Sequence, residues 1–239
     1  MKRKHWLLLL TAVIVALALV IALLRFMAEL QDYGRETSLE SHDFNYVFDG
    51  SKSAKDIKLT KGSSVDQTIR FVPHWSSDDY LRLARTLTPS GLKFSDDDMI
   101  VVSTRSYDCA QPTRIDQMYF DWSVPNNQEP NKRLVLGIFI DAAIGNASGS
   151  WEIRRGEVSV SRANPRLDPL KIEAVVAAAY AVFAKEVDAQ AVLTSPKCSI
   201  EAYVSSGGSQ NWWVRFNSEI PKRNDAFIVN ADTMIARRE

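Results

Sequence analysis

The chain has 239 residues, of which 46% are hydrophobic and 24% charged, and its 29 Lys and Arg balance its 29 Asp and Glu. Four of the basic residues and none of the acidic ones fall in the first 25 positions, so the remainder carries 25 against 29, a net charge of −4. A mildly acidic chain without clustered positive charge excludes the nucleic-acid-binding class.

The N-terminus has the pattern of a membrane anchor. Basic residues at positions 2–4 precede an apolar run, residues 5–24, that contains no acidic side chain. In a helix, about 20 apolar residues match a bilayer hydrocarbon core of about 30 Å. We therefore predict a transmembrane helix over residues 5–25. Basic residues favour the cytoplasmic side, so residues 1–4 are expected in the cytoplasm and the C-terminal part is expected to be exported, periplasmic or extracellular.

Two other interpretations of this segment remain. A cleaved secretory signal has an apolar region of about 7 to 15 residues that ends at a small-residue site. Here the Ala16-Leu17-Ala18 motif lies inside the run and is followed by more apolar residues, which favours the anchor. A buried core helix is the second alternative, but a helix that is apolar on every side fits a membrane better.

The only two cysteines are Cys109 and Cys198. In an oxidising compartment they would pair and close a long loop, a constraint worth about 4–5 kcal/mol in the chain-entropy model. The alternative is two buried thiols that act as small apolar side chains. The sequence leaves both alternatives open.

The first half of the exported part is predicted to begin with a polar stalk at residues 26–43, followed by strands and one helix. The helix has Ser76 or Ser77 as N-cap and ends near Leu87. Residues 151–155 and 157–162 are predicted to form a hairpin. Other strands are predicted at residues 44–48, 57–59, 65–72, 99–104, 118–124 and 134–140.

The second half begins with a helix that has Asp168 as N-cap and Pro169 at its first position, and that ends near Val187. Helices beside an antiparallel sheet predict an α+β fold with two main helices. We expect one exported domain over residues 44–239, with a division into subdomains 44–165 and 166–239 left open. The last strands are predicted at residues 198–204, 212–216, 226–230 and 233–236.

The stretch from residue 169 to 238 resembles the helix-plus-meander layout of PepSY-type and NTF2-like immunity-type domains. The likeness rests on the helix after Pro169, on Trp-Trp-Val-Arg-Phe at residues 212–216, and on the apolar segment 227–235. It implies an exported or membrane-linked protein that inhibits or binds another component and is not an enzyme.

Few side chains are arranged for chemistry. The three histidines, His5, His42 and His74, are too scattered for a histidine triad or a multi-histidine zinc site. The acidic run 96–98 lacks the spaced pattern of a calcium loop and predicts a polar turn. We therefore expect no metal, cofactor or nucleotide. If the chain were a hydrolase, Asp78, Asp79 and the run 96–98 would be its candidate acids and bases.

Trp212 and Trp213 are the candidate partner-binding residues. Because they are adjacent on a predicted strand, their side chains point to opposite sides of the sheet. If one side packs on the helix, the other tryptophan needs a second layer of the same protein or a partner.

The sequence therefore predicts a single-pass membrane-anchored, exported protein that binds another envelope protein, in the manner of an inhibitor or immunity factor. One alternative is an envelope hydrolase with an acidic active site. Another is a structural subunit whose transmembrane helix pairs with other membrane helices.

Overall fold

A computed structural model describes residues 38–62, 70–90, 92–125, 132–155, 168–205 and 211–239. The predicted anchor at residues 5–25, most of the predicted stalk, most of the predicted strand 65–72 and the hairpin strand 157–162 lie outside these residues. Within the described ranges, no helix is long and apolar enough to span a bilayer. The anchor therefore stays a prediction.

In the described part of the chain, ten strands form one sheet, in the order β10-β9-β8-β7-β3-β4-β5-β6-β1-β2. Neighbouring strands pair antiparallel throughout β3 to β10. The strands are β1 (Ser38–Val47), β2 (Thr60–Lys61), β3 (Met99–Ser106), β4 (Gln117–Pro125), β5 (Lys132–Asp141), β6 (Asn146–Arg155), β7 (Cys198–Ser205), β8 (Asn211–Glu219), β9 (Lys222–Asn230) and β10 (Ala236–Arg238).

The predicted α+β class is wrong, because this sheet dominates the described chain and the helices are few and short. They are α1 (Ser77–Leu87), α2 (Ile172–Phe183) and α3 (Ala189–Leu193), with 3-10 turns at Asp96–Asp98 and Pro169–Lys171. The second predicted helix ends at Phe183 and not near Val187. By contrast, β1 and β3 to β9 are longer than their local patterns indicated, since pairing with neighbouring strands extends them. Strands β2 and β10 are each one residue shorter than predicted.

Two predicted strands are displaced. Strand β2 lies just after the predicted segment 57–59. Strand β10 begins at Ala236 and not at Thr233, because the side chain of Asn230 accepts hydrogen bonds from the backbone of Asp232 and Thr233 and holds a turn there. Strand β1 begins at Ser38, inside the predicted stalk.

The strand order contains one unit twice, a helix followed by a four-stranded meander. Helix α1 precedes β3 to β6 and packs on β4 and β5, and α2 precedes β7 to β10 and packs on β8, β9 and β10. The first strands of the two units, β3 and β7, pair antiparallel, with Val102 opposite Val204. This pairing relates the two units by an approximate twofold axis and makes their meanders one continuous sheet. The amino-acid sequence shows no repeat of fixed period that would have indicated this duplicated unit.

Helix α1 forms where its capping signal predicts. The Ser76 hydroxyl accepts from the backbone N–H of Asp79, and the Asp79 carboxylate accepts from the backbone of Ser76, so the first turn is satisfied from both sides. Tyr80 lies on the buried face of the helix, and its hydroxyl donates to the Ile115 carbonyl over 2.8 Å. These contacts fix α1 against the loop that precedes β4.

The sheet has two unlike faces. Along β4, Met118, Phe120 and Trp122 are buried beneath the helices, and the alternating Tyr119 and Asp121 point the other way. We call this second side the open face. In strands β3 to β8 it includes the half-buried or exposed side chains of Ser103, Arg105, Gln117, Tyr119, Phe139, Ser148, Glu201, Tyr203, Trp213 and Arg215.

A disulfide joins Cys109 to Cys198, and their Cα atoms are 5.6 Å apart. Cys109 follows the end of β3 and Cys198 opens β7, so the antiparallel pairing of these strands brings together two residues that are 89 positions apart. Both cysteines are buried. The covalent link therefore ties the two helix-plus-meander units at one end of their shared boundary.

The adjacent tryptophans allow a test of which face is the core. Trp212 is only 2% exposed, so we expect Trp212→Ala to lower the free energy of unfolding by about 3–5 kcal/mol. Trp213→Ala removes a half-buried ring and should cost less than half as much. Urea unfolding of the full chain in detergent measures both. Equal losses would contradict the assignment of the two faces.

The disulfide should contribute strongly to stability because it closes a long loop. Replacing both cysteines by alanine should lower the free energy of unfolding by about 4–5 kcal/mol in the chain-entropy model. Dithiothreitol should lower the melting temperature of the wild-type protein and leave that of the double variant unchanged. A reductant effect of equal size in both proteins would show that the pair is not bonded.

Candidate functional site

The acids considered as catalytic candidates are engaged in local structure. Asp78 and Asp79 both pair with Arg82 at 2.8 Å, and Asp79 also caps α1. Asp96 accepts from Arg85 at 2.7 Å. Asp98 accepts from the backbone N–H and the hydroxyl of Ser95.

The described residues also lack a metal centre. Among them, no group of three or more His, Cys, Asp or Glu side chains is placed to hold a metal ion. His42 stacks on Trp151 with ring centroids 4.3 Å apart, and His74 is exposed. The acidic run at residues 96–98 forms the turn that the sequence predicts.

The two candidate tryptophans do lie on opposite faces. Trp212 is in the core, where a partner would not reach it without unfolding. Trp213 lies on the open face, nearly parallel to the ring of Tyr203 at a centroid distance of 6.1 Å. The guanidinium of Arg215 lies over the same tyrosine ring, 5.6 Å from its centre. Trp213 is thus the member of the pair that remains a candidate for contact.

Two adjoining depressions cross the open face, and we call them together the trough. They share the side chains of Tyr119 and Phe139. One, of about 660 Å³, has Ser103 at its centre and Tyr203 at its side. The other, of about 620 Å³, is lined on the far side by Phe44, Asn45, Lys61, Gly137, Ser148 and Ser150.

Strand register places these residues in one row. Trp213 is opposite Tyr203, Tyr203 opposite Ser103, and Ser103 opposite Tyr119. The row continues through Phe139 to Ser148. The row thus consists of two pairs of adjacent rings, each pair followed by a serine, and the small serines leave space for the trough. No window of the sequence shows this row, because its members come from six strands.

A second row runs beside the first and supplies polar groups. Arg105 and Glu201 are register partners on β3 and β7 and form an ion pair. The next residue of the row is Gln117, whose amide donates to the hydroxyl of Tyr107 over 2.6 Å and also to Asp141. The trough is therefore bordered by a guanidinium, a carboxylate and an amide that are held in place by other side chains.

Tyr119 sits where it does because residue 137 is glycine. A Cβ atom at Gly137 would lie 3.0 Å from the Tyr119 hydroxyl oxygen, so the ring lies over the bare backbone of β5. The hydroxyl donates to the carboxylate of Asp121, and burial raises the pKa of Tyr119 to about 12. The ring is thus fixed as the wall between the two depressions.

Asp121 is the most perturbed acid on this face. Burial raises its pKa to about 6; the negative charge of Glu152 contributes to this rise, and the positive charge of Arg154 opposes it. Its Oδ1 atom is buried without a hydrogen-bond partner among the described residues. A perturbed carboxyl is common at functional sites. The nearest acid, Glu152, is held by Arg154, so the geometry gives Asp121 a role in fixing Tyr119 and supplies no acid–base pair.

Comparisons with protein-family models, curated proteins and solved structures return no match to this chain. The resemblance to PepSY-type and NTF2-like domains accordingly stays a prediction. We therefore infer the function of the trough from the geometry and chemistry of the residues that line it.

The raised pKa of Asp121 predicts a pH-dependent stability. The folded state holds this proton up to about pH 6, whereas the unfolded carboxyl loses it near its ordinary pKa of 3.8, so stability falls as pH rises between these values. Asp121→Asn should remove this penalty and raise the free energy of unfolding at pH 7 by roughly 1–2 kcal/mol after solvent screening.

Near pH 4 the same variant should differ little from wild type. The matched control is Asp56→Asn, at an exposed position, which should show no such pH-dependent gain. Urea unfolding at a series of pH values measures both effects. A constant difference between Asp121→Asn and wild type from pH 4 to pH 7 would contradict the assignment.

Proposed function

We propose that this protein is a single-pass membrane-anchored, exported binding module, without catalytic activity of its own, and that it holds another component of the envelope in the trough. The observation that carries this proposal is the row of aromatic and small side chains across the open face. Half-buried rings above a floor of small residues offer apolar contact area at fixed positions, which is the usual composition of a binding surface.

Two features support the exported location. The apolar run at residues 5–24 is long enough to cross a bilayer and follows three basic residues. The disulfide between Cys109 and Cys198 is typical of an oxidising compartment such as the periplasm or the cell exterior. A tether of this kind would concentrate the trough near the membrane surface, where its ligand is expected.

The use of the acidic side chains supports binding over hydrolysis. A hydrolase of the acid-pair type needs two carboxyl groups that both reach the substrate. Here the candidate acids cap helices or pair with arginines on the helix side of the sheet. On the open face, Glu201 is paired with Arg105 and Asp121 lies beneath Tyr119.

Site-specific crosslinking tests whether the trough is the contact surface. The photoreactive amino acid p-benzoylphenylalanine would replace Tyr203 or Lys61, two long side chains that line the trough, in the full chain expressed in its native membrane. The control positions are Lys185 and Ala191, which are exposed near the helices. Because the photoexcited benzophenone inserts into C–H bonds, which proteins, lipids and glycans all contain, the result does not depend on the ligand's class.

We expect irradiation to give discrete, heavier products from the two trough positions and none from the two control positions. Addition of an excess of unlabelled full-length protein should reduce the yield of these products, since the ligand would be shared. Equal products from all four positions, or none from the trough, would overturn the proposal.

A further inference from the structure

We infer that the ligand of the trough is a glycan strand of the envelope, lying across strands β7, β3, β4, β5 and β6. This inference rests on the proposed binding function and deepens it. The sequence by itself favours a protein partner, so the choice between the two classes depends on the chemistry of the lining.

The floor of the trough has no free strand edge for a peptide. Strands β3, β4 and β5 form the floor of the trough, and each is paired on both sides by neighbouring strands. A peptide laid on this face therefore finds no free strand edge to extend. Its own N–H and C=O groups would be buried without ladder partners, which costs free energy for each group. A glycan also has donors and acceptors, but they are hydroxyl and acetamido groups on each ring, which side chains and water can satisfy without a free strand edge.

Aromatic rings flank Ser103 on both sides. Trp213 stacks beside the Tyr203 ring from β8, and Ser103 is the register partner of Tyr203 on β3. On the far side of Ser103 stands Tyr119, two strand spacings from Tyr203 and thus about 9.6 Å away at the backbone. The hydroxyl end of Tyr119 leans over Gly137 on β5, so the gap above Ser103 admits at least one flat ring at contact distances of about 3.5–4 Å on each side. The C–H faces of a pyranose ring pack on aromatic rings in this way.

The lining of the trough is polar but balanced in charge. Around Ser103 the slot is bordered by Arg105, Gln117 and Glu201, which together offer donors and acceptors to vicinal hydroxyl groups. The guanidinium and the carboxylate already neutralise each other, and the second depression likewise carries one acid and one base, Asp43 and Lys61. A lining that is polar but balanced in charge matches a neutral polyhydroxylated ligand better than an acidic or basic segment.

The length of the trough fits a polymer and not a single sugar. Four strand spacings of about 4.8 Å separate β7 from β6, so the row from Tyr203 to Ser148 extends about 19 Å. Serine hydroxyls recur along it at Ser103, Ser148 and Ser150. Tyr119 and Phe139 stand between the two depressions, so successive sugar rings would occupy the two sides of this wall.

Binding of defined oligosaccharides tests the inference. The probes are the β-1,4-linked hexamer of N-acetylglucosamine and purified cell-wall glycan, offered to the full chain in nanodiscs, with binding followed by calorimetry for the hexamer and by co-sedimentation for the polymer. We expect saturable binding of at least one probe. Tyr203→Ala should weaken it roughly two- to twelvefold, the equivalent of one aromatic contact of about 0.5–1.5 kcal/mol.

Ser103→Trp should abolish binding because it fills the slot, and its size-matched control is Ala191→Trp at an exposed helical position. Circular dichroism and melting temperature show whether each variant is folded, and Tyr203→Phe, which keeps the ring, should retain binding. If neither probe binds, or if Ser103→Trp and Ala191→Trp behave alike, the glycan assignment is overturned. Trough-specific crosslinks to a protease-sensitive product would also overturn it, while leaving the trough as the binding surface.

Discussion

The pairing of β3 with β7 is the constraint on which the rest of the structure depends. Six consecutive residue pairs, from Val101 with Ser205 to Ser106 with Ile200, join the two helix-plus-meander units. Without this ladder each unit would be a small sheet with an unprotected edge strand at its first position. With it, the two edges satisfy each other, and the disulfide at one end closes the same boundary covalently.

The same pairing creates the trough. Tyr203 belongs to one unit and Tyr119 to the other, so the slot between them exists only when the two meanders are in register. A slip of one residue at the boundary would turn every side chain of one unit to the other face. Stability and site geometry therefore rest on one set of main-chain hydrogen bonds, and the Arg105–Glu201 ion pair crosses the same boundary.

The open face combines features that a core would not tolerate. Asp121 is half-buried, one of its oxygens has no hydrogen-bond partner among the described residues, and its pKa is raised to about 6. Its carboxylate nevertheless accepts the hydrogen bond from the hydroxyl that holds Tyr119 in place. Gly137 gives up strand propensity, and its missing side chain leaves space for the hydroxyl end of this ring. Such local costs are usual where a surface is shaped for contact and not for stability alone.

The sequence by itself determined the local elements: the capped helix from Ser77 to Leu87, the alternation along Met118 to Val124 and the opposed directions of Trp212 and Trp213. These follow from neighbouring residues, whose period and capping are visible in a short window. The fold class, the pairing of β3 with β7 and the row from Trp213 to Ser148 were decided only in the tertiary structure. They depend on which distant strands lie side by side, and antiparallel pairing is set by packing and main-chain hydrogen bonds that no local pattern encodes.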